Sequence, residues 1–222
     1  MLQTLPYTVD STLLNEAQSS VPSVDSKLTI NQPTGNFFYD SWEIKEEFKG
    51  TVWETLLNTL PLDIGEARII VLGHGTTYMS HTDIDDRYHL SIKGQYSFLI
   101  NVDDEKMYPT VADGQWYEMN TGLRHVAANF GSYDRVQLVI RKLLNNPTLE
   151  NCTTVTIKPI CENPRFEFDD LISPLLNKLN KQQLINDFNI LQDGVSFNLN
   201  TNAITQLDSI DRNKFNIQLC ET

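Results

Sequence analysis

The stretch from Arg68 to Leu143 limits the possible folds more than any other part of the chain. Short apolar runs lie at Arg68–Leu72, Tyr88–Ile92, Tyr96–Val102, Met107–Val111, Trp116–Met119, Arg124–Asn129 and Arg135–Leu143. Turn signals separate them: Gly73 and Gly75 around His74, Gly94, the run Asp103 to Lys106, Asp113-Gly114, Thr121-Gly122 and Gly131-Ser132. Each run suits a strand, and no helical segment intervenes, which excludes an alternating β-α-β arrangement. The pattern predicts antiparallel sheets in a sandwich or barrel of the jelly-roll kind.

The flanks read differently. Residues 1–40 are polar and rich in turn formers, with Asp10 and Ser11 placed to cap a short helix through Leu13, Leu14 and Ala17. Ser41 is placed to cap a helix over Trp42–Lys49 that Gly50 ends. Thr51 with Glu54 makes a capping-box pattern before Leu56, Leu57 and Leu60, and Pro61 stops that helix. Residues 41–145 are therefore expected to form a β core with preceding helices. Residues 146–222 are expected to form an α+β extension. In it, Ser173-Pro174 opens a helical stripe of Leu175, Leu176, Leu179, Leu184, Ile185 and Phe188, and Thr153–Ile157, Val195–Leu199 and Phe215–Leu219 read as strands.

Charge narrows the partners. Seventeen Lys and Arg against 29 Asp and Glu leave a formal charge of −12. Nucleic-acid binding needs clustered cations on phosphates, and anionic membrane surfaces need the same, so neither partner is expected. No apolar stretch approaches the ~20 residues of a membrane helix. The N-terminal Met1 to Pro6 has no signal-peptide pattern, and the expected location is the cytoplasm. Cys152, Cys161 and Cys220 lack metal-type spacing and read as free thiols in a reducing compartment.

All four histidines, His74, His81, His89 and His125, fall within the strand-rich stretch. His81-Thr82-Asp83 and the distal His125 supply two imidazoles and one carboxylate, the ligand set of a mononuclear non-haem Fe(II) site with open positions. On a strand, residues i and i+2 share a face, so His81 and Asp83 point into one cavity. Arg135 opens the next apolar run after His125. If Arg124–Asn129 and Arg135–Ile140 pair as a hairpin, Arg135 returns to the level of His125. A guanidinium there grips a carboxylate bidentately, which suits a short dicarboxylate such as 2-oxoglutarate.

These residues, with Arg87-Tyr88-His89-Leu90, Gly114-Gln115-Trp116 and His125 through Asn129, give residues 50–142 an order and spacing that resembles the aspartyl/asparaginyl β-hydroxylase family. Asp83, in place of a glycine, makes the site look more like the proline-hydroxylase branch of that family. The resemblance implies a double-stranded β-helix (cupin) fold and an Fe(II)- and 2-oxoglutarate-dependent dioxygenase. Its reaction would use O2 to hydroxylate an unactivated C–H bond of an amino acid, free or peptide-bound. Carried over by position, His81, Asp83 and His125 would be the iron ligands. Arg135 would bind the distal carboxylate of 2-oxoglutarate, His89 would lie beside that co-substrate, and Arg87 would lie on the substrate side. The interval from His81 to Arg87 is shorter than in the family's peptide hydroxylases, and the segment after residue 145 has no counterpart in it.

Two other readings suit the same residues: a cupin-fold binding protein without turnover, and another metal-dependent cupin enzyme that has no need of Arg135. The remaining conspicuous residues have structural readings. His74 belongs to a turn, Arg141 to the framework, and Arg124 to a solvated face. Trp116, Tyr78 and Met79 belong to the core, Asn129 to a backbone-satisfying role near its turn, and Asp103–Glu105 to a hairpin tip.

Overall fold

A computed structural model describes residues 1–23, 25–160 and 168–221, so Cys161 lies outside the described residues. The chain divides into two compact units: Met1–Ser80 with Asp85–Leu143, and His81–Ile84 with Leu144–Thr222. Among the described residues every strand pairing is antiparallel, and the molecule is mainly β. None of the described helices is long and apolar enough to cross a membrane.

The first unit runs β1 (Leu2–Thr8), α1 (Ser11–Ser19), β2 (Lys27–Thr29), β3 (Asn31–Pro33), β4 (Trp42–Ile44) and α2 (Val52–Asn58). It continues with β5 (Ile64–Leu72), β6 (Thr76–Thr77), β7 (Arg87–Lys93), β8 (Ser97–Asn101), β9 (Lys106–Pro109), β10 (Gln115–Met119), β11 (His125–Asn129) and β12 (Arg135–Lys142). One sheet has the order β1-β10-β7-β12-β5-β2, and a second has β6-β11-β8-β9. From β5 to β12 successive strands pass from one sheet to the other at every step except the β8–β9 hairpin.

Alternation along the six-stranded sheet separates two environments. Ala67, Ile69, Tyr88, Leu90, Ile92, Trp116, Val136, Leu138 and Ile140 face α1 and α2, where Leu14, Ala17, Trp53, Leu56 and Leu57 complete one apolar core. Asp10 Oδ1 caps α1 by accepting from Leu13 N at 2.9 Å. Thr51 Oγ1 caps α2 by accepting from Trp53 N at 3.3 Å, and Glu54 closes back onto Gly50 N at 2.6 Å. The other face of the sheet looks toward the four-stranded sheet. Leu72 and Met119 of the first meet Leu99 and Ala127 of the second there.

Three expectations for this unit need correction. Leu2–Thr8, within the stretch read as polar and turn-rich, is an edge strand on β10, where Pro6 costs no ladder bond that a central strand would need. Trp42–Lys49 is not a helix: Trp42-Glu43-Ile44 alternates with period two and pairs with Asn31–Pro33, and only a single 3-10 turn, Glu46–Phe48, follows. β11 and β12 do not form a hairpin. β12 lies between β5 and β7, while β11 pairs with β6 and β8. The central position of β12 satisfies both of its edges, so residues 130–134 cross between sheets.

The second unit contains β13 (Cys152–Pro159), a π turn (Phe168–Ile172), α3 (Ser173–Lys181), β14 (Ile185–Leu191), β15 (Gly194–Asn200), a 3-10 segment (Thr201–Ser209) and β16 (Phe215–Glu221). Its sheet order is β14-β15-β13-β16. The helical stripe stops at Lys181, well short of Phe188. Ile185 and Phe188 are both buried in β14 because the register slips between Asn186 and Asn189, with Asp187 at φ 48°. A strand irregularity thus produces the three-residue spacing that imitates a helix.

Candidate metal centre

His125 begins β11 on the face that looks between the two sheets, and it is 5% exposed. Its Nδ1 lies 2.9 Å from the carbonyl oxygen of Leu123. A carbonyl only accepts, so Nδ1 carries the proton and Nε2 presents a lone pair. Metal-binding histidines are oriented by this kind of backbone hydrogen bond on the opposite nitrogen.

His81 and Asp83 lie on the connection between β6 and β7 rather than on a strand proper. Residues 81–84 are bonded at both ends, through Ser80 and Asp85, to the first unit, and four residues span at most ~14 Å. His81 Nε2 and Asp83 Oδ2 are 4.0 Å apart. One ligand atom from each of His81, Asp83 and His125 lies within 4.8 Å of the others, close enough to share one ion. The donor set of two imidazoles and one carboxylate, with the His125 tautomer already fixed, fits a divalent first-row metal.

The face of β7 and β12 turned away from the helix-covered core carries a buried polar network. Arg135 is 3% exposed. Its Nη2 donates to Gln137 Oε1, and its Nε donates to Thr110 Oγ1 at 3.3 Å. Among the described residues no carboxylate pairs with it. Burial pushes its pKa down from the ordinary 12.5 to about 10, slightly offset by the nearby Tyr78. A guanidinium taken out of water without a counter-charge is costly, and such a group is relieved by an anion.

His89 sits opposite Val139 on β7, pointing away from the Leu90 core. Its Nδ1 is 3.2 Å from the same Gln137 Oε1, while its Nε2 is buried without a partner. Gln137 Nε2 donates to Ser91 Oγ at 3.0 Å. Burial pushes the His89 pKa down to about 3, and the Arg135 charge pushes in the same direction. The imidazole is therefore neutral across the physiological range.

Arg87, two residues before His89 on the same face, is engaged by the Asp85 carboxylate. Asp85 also accepts from Arg141 Nη1 at 2.8 Å through both oxygens, and Arg141 Nε donates to Glu66 at 3.1 Å. Burial pushes the Glu66 carboxyl up, but Arg68, Thr29 and Arg141 outweigh it and hold the pKa below the ordinary 4.5. Arg141 is thus part of the framework, as expected. Trp116 is fully buried and donates Nε1 to Thr59 Oγ1 at 2.9 Å. Asn129, also fully buried, donates to the carbonyls of Leu72 and Tyr133. His74 is exposed in its turn. Met79, expected in the core, is 64% exposed.

Gln137, Ser91 and Thr110 escaped the sequence reading. The available signal was parity: Gln137 interrupts the apolar alternation of β12 at the same face as Arg135. Two clefts elsewhere, of about 570 and 540 Å³, are lined respectively by Trp42, Leu57 and Pro61 and by Val21, Val71 and Tyr133. Neither gathers histidine, cysteine or a buried charge.

No protein-family model matches the sequence, and no curated protein matches it. Among solved structures the chain is similar to CapF, in its crystal structure with the inhibitor 3-isopropenyl-tropolone, with a TM-score of 0.32 and 16% identity. The match covers 59% of this chain and 35% of the CapF chain, far less than two thirds of that protein. At that level the likeness bears on neither fold nor function.

Proposed function

We propose that this protein is an Fe(II)- and 2-oxoglutarate-dependent dioxygenase that hydroxylates an unactivated C–H bond of an amino acid, free or peptide-bound, on a double-stranded β-helix. The passage of β5 to β12 back and forth between two antiparallel sheets supports that architecture. The observation that carries the reading is the pairing of two features. Three metal-type donors converge within 4.8 Å, and the first unit holds a buried guanidinium that has no carboxylate partner among the described residues.

His81, Asp83 and His125 would hold the iron, His125 through Nε2. Bound Fe(II) supplies the O2-dependent oxidation that side chains cannot perform, coupled to conversion of 2-oxoglutarate to succinate and CO2. Arg135 would take a carboxylate of 2-oxoglutarate bidentately, which neutralises the guanidinium and fixes the orientation of the co-substrate. The neutral His89 and the buried walls of β7 and β12 would keep bulk water from the reacting groups.

The test is anaerobic addition of Fe(II) and 2-oxoglutarate to the purified chain. A visible charge-transfer band is expected, absent in His125→Ala and in His81→Ala. The second variant alters a side chain that is 35% exposed and leaves the core intact. A folded protein that gives no band, with no Fe(II) bound at equilibrium, refutes the proposal.

A further inference from the structure

Arg135, Gln137, His89 and Ser91 form a network with one consistent assignment of hydrogens. Arginine only donates, so the Gln137 atom facing it must be Oε1. His89 Nδ1 faces that same oxygen and must therefore carry the imidazole proton. Gln137 Nε2 then donates to Ser91. One buried acceptor is left over, His89 Nε2, on a residue that is 7% exposed. In this arrangement His89 offers a lone pair, and a carboxylate arriving beside it would be repelled.

Reversing the Gln137 amide removes the defect when a carboxylate is present. Arg135 transfers its donors from Gln137 to the carboxylate. The reversed amide donates Nε2–H to His89 Nδ1, and Ser91 turns its hydroxyl to donate to Oε1. The imidazole proton leaves Nδ1 and appears on Nε2, from which it donates to the carboxylate. The proton count is unchanged, and every donor and acceptor named has a partner.

We propose that Gln137 is a positioning residue whose amide reverses when a carboxylate binds Arg135, converting His89 from an acceptor into a donor to that carboxylate. This rests on the reading of Arg135 as the anchor of 2-oxoglutarate. It adds a second donor to the anchor and explains why a polar amide is buried in β12.

The experiment is 15N NMR of the imidazole nitrogens in the full chain, loaded with Zn(II) as a diamagnetic ion and titrated with 2-oxoglutarate. Without ligand, His89 Nδ1 should show the protonated signature; with ligand, the signature should move to Nε2. Gln137→Glu places a permanent carboxylate against Arg135, and 2-oxoglutarate should bind about tenfold to hundredfold more weakly, the loss of one charged hydrogen bond or more. Gln137→Met removes the amide, and the tautomer should then no longer follow the ligand. Arg135-dependent binding with an unchanged His89 signature overturns the amide reversal and leaves the anchor standing. Absence of Arg135-dependent binding overturns both.

Discussion

Replacing Arg135 with methionine should make the ligand-free protein more stable and the ligand-bound protein less so. The guanidinium is 3% exposed and has no acidic partner among the described residues. Burial moves its pKa from 12.5 to about 10. The sign follows from linkage: a cation whose folded pKa lies below its unfolded one opposes folding at every pH below about 10. At 1.36 kcal/mol per pH unit the penalty is on the order of 3 kcal/mol. Methionine keeps most of the aliphatic packing. It also leaves no orphan behind, since Gln137 Oε1 retains His89 Nδ1 and Thr110 Oγ1 retains Ser97 Oγ at 2.7 Å. Part of the gain is offset by the lost bonds to Gln137 and Thr110, so a net stabilisation of about 1–3 kcal/mol is expected.

Urea unfolding of the Zn(II)-loaded wild type and Arg135→Met, each with and without 2-oxoglutarate, reads both sides of the argument. At a concentration 100 times its Kd, the ligand should add about 2.7 kcal/mol to the wild type and nothing to the variant. The stability order of the two proteins should narrow or reverse on adding ligand. A structural arginine gives a different result: Arg135→Met would lose more than about 1 kcal/mol without ligand. That loss would refute the reasoning, as would an equal ligand effect in both proteins.

Three further outcomes are expected. His89, with its pKa pushed down to about 3, binds fewer protons folded than unfolded between that value and 6.5, so its contribution to stability falls as pH drops through that window by up to ~1.4 kcal/mol per pH unit; the acid limb of a stability–pH curve should be shallower in His89→Gln. Asn129→Ala orphans the carbonyls of Leu72 and Tyr133 and the Gly131 N–H, and should cost about 2–4 kcal/mol in urea unfolding. Gly114→Ala forces a side chain onto a residue at φ 76° and sets its Cβ 2.3 Å from the Val9 carbonyl oxygen, so a loss of about 2 kcal/mol or more in thermal unfolding is expected, with β1 the first element to exchange its amides.

The strand-rich region was legible because each of its turns carries its own chemistry. Asp113-Gly114 and the Asp103–Glu105 tip specify turns through local sterics and side-chain hydrogen bonds, whatever the partner strand. His81 and Asp83 stay near each other for a local reason, being two residues apart on one short connection, with Nε2 and Oδ2 4.0 Å apart. Partner choice was not legible. Nothing local distinguishes a hairpin between β11 and β12 from a crossing between sheets; that choice is settled by β5 and β7 competing for the edges of β12. Trp42-Glu43-Ile44 was misread for the same reason, because its partner Asn31–Pro33 is polar and far from strand-like in composition. Gln137 was passed over because a single polar residue in an apolar run signals function only once its face is known.

The arginines on one face of the six-stranded sheet differ in how their charge is met. Arg68, Arg87, Arg135 and Arg141 all lie on β5, β7 or β12 at positions facing away from the helix-covered core. Three of them meet carboxylates: Arg68 lies 3.6 Å from Glu66, Arg87 contacts Asp85, and Arg141 reaches both. Two carboxylates, Glu66 and Asp85, are shared among these three cations, and the helix-covered face of the same strands supplies the apolar burial that stabilises the unit. Arg135 receives only a neutral amide and a hydroxyl. Three arginines of this face thus have carboxylates beside them and, among the described residues, the deeply buried Arg135 has none, which is the observation on which its proposed role as an anion anchor rests. In the proposed reading a carboxylate of 2-oxoglutarate supplies the missing counter-charge.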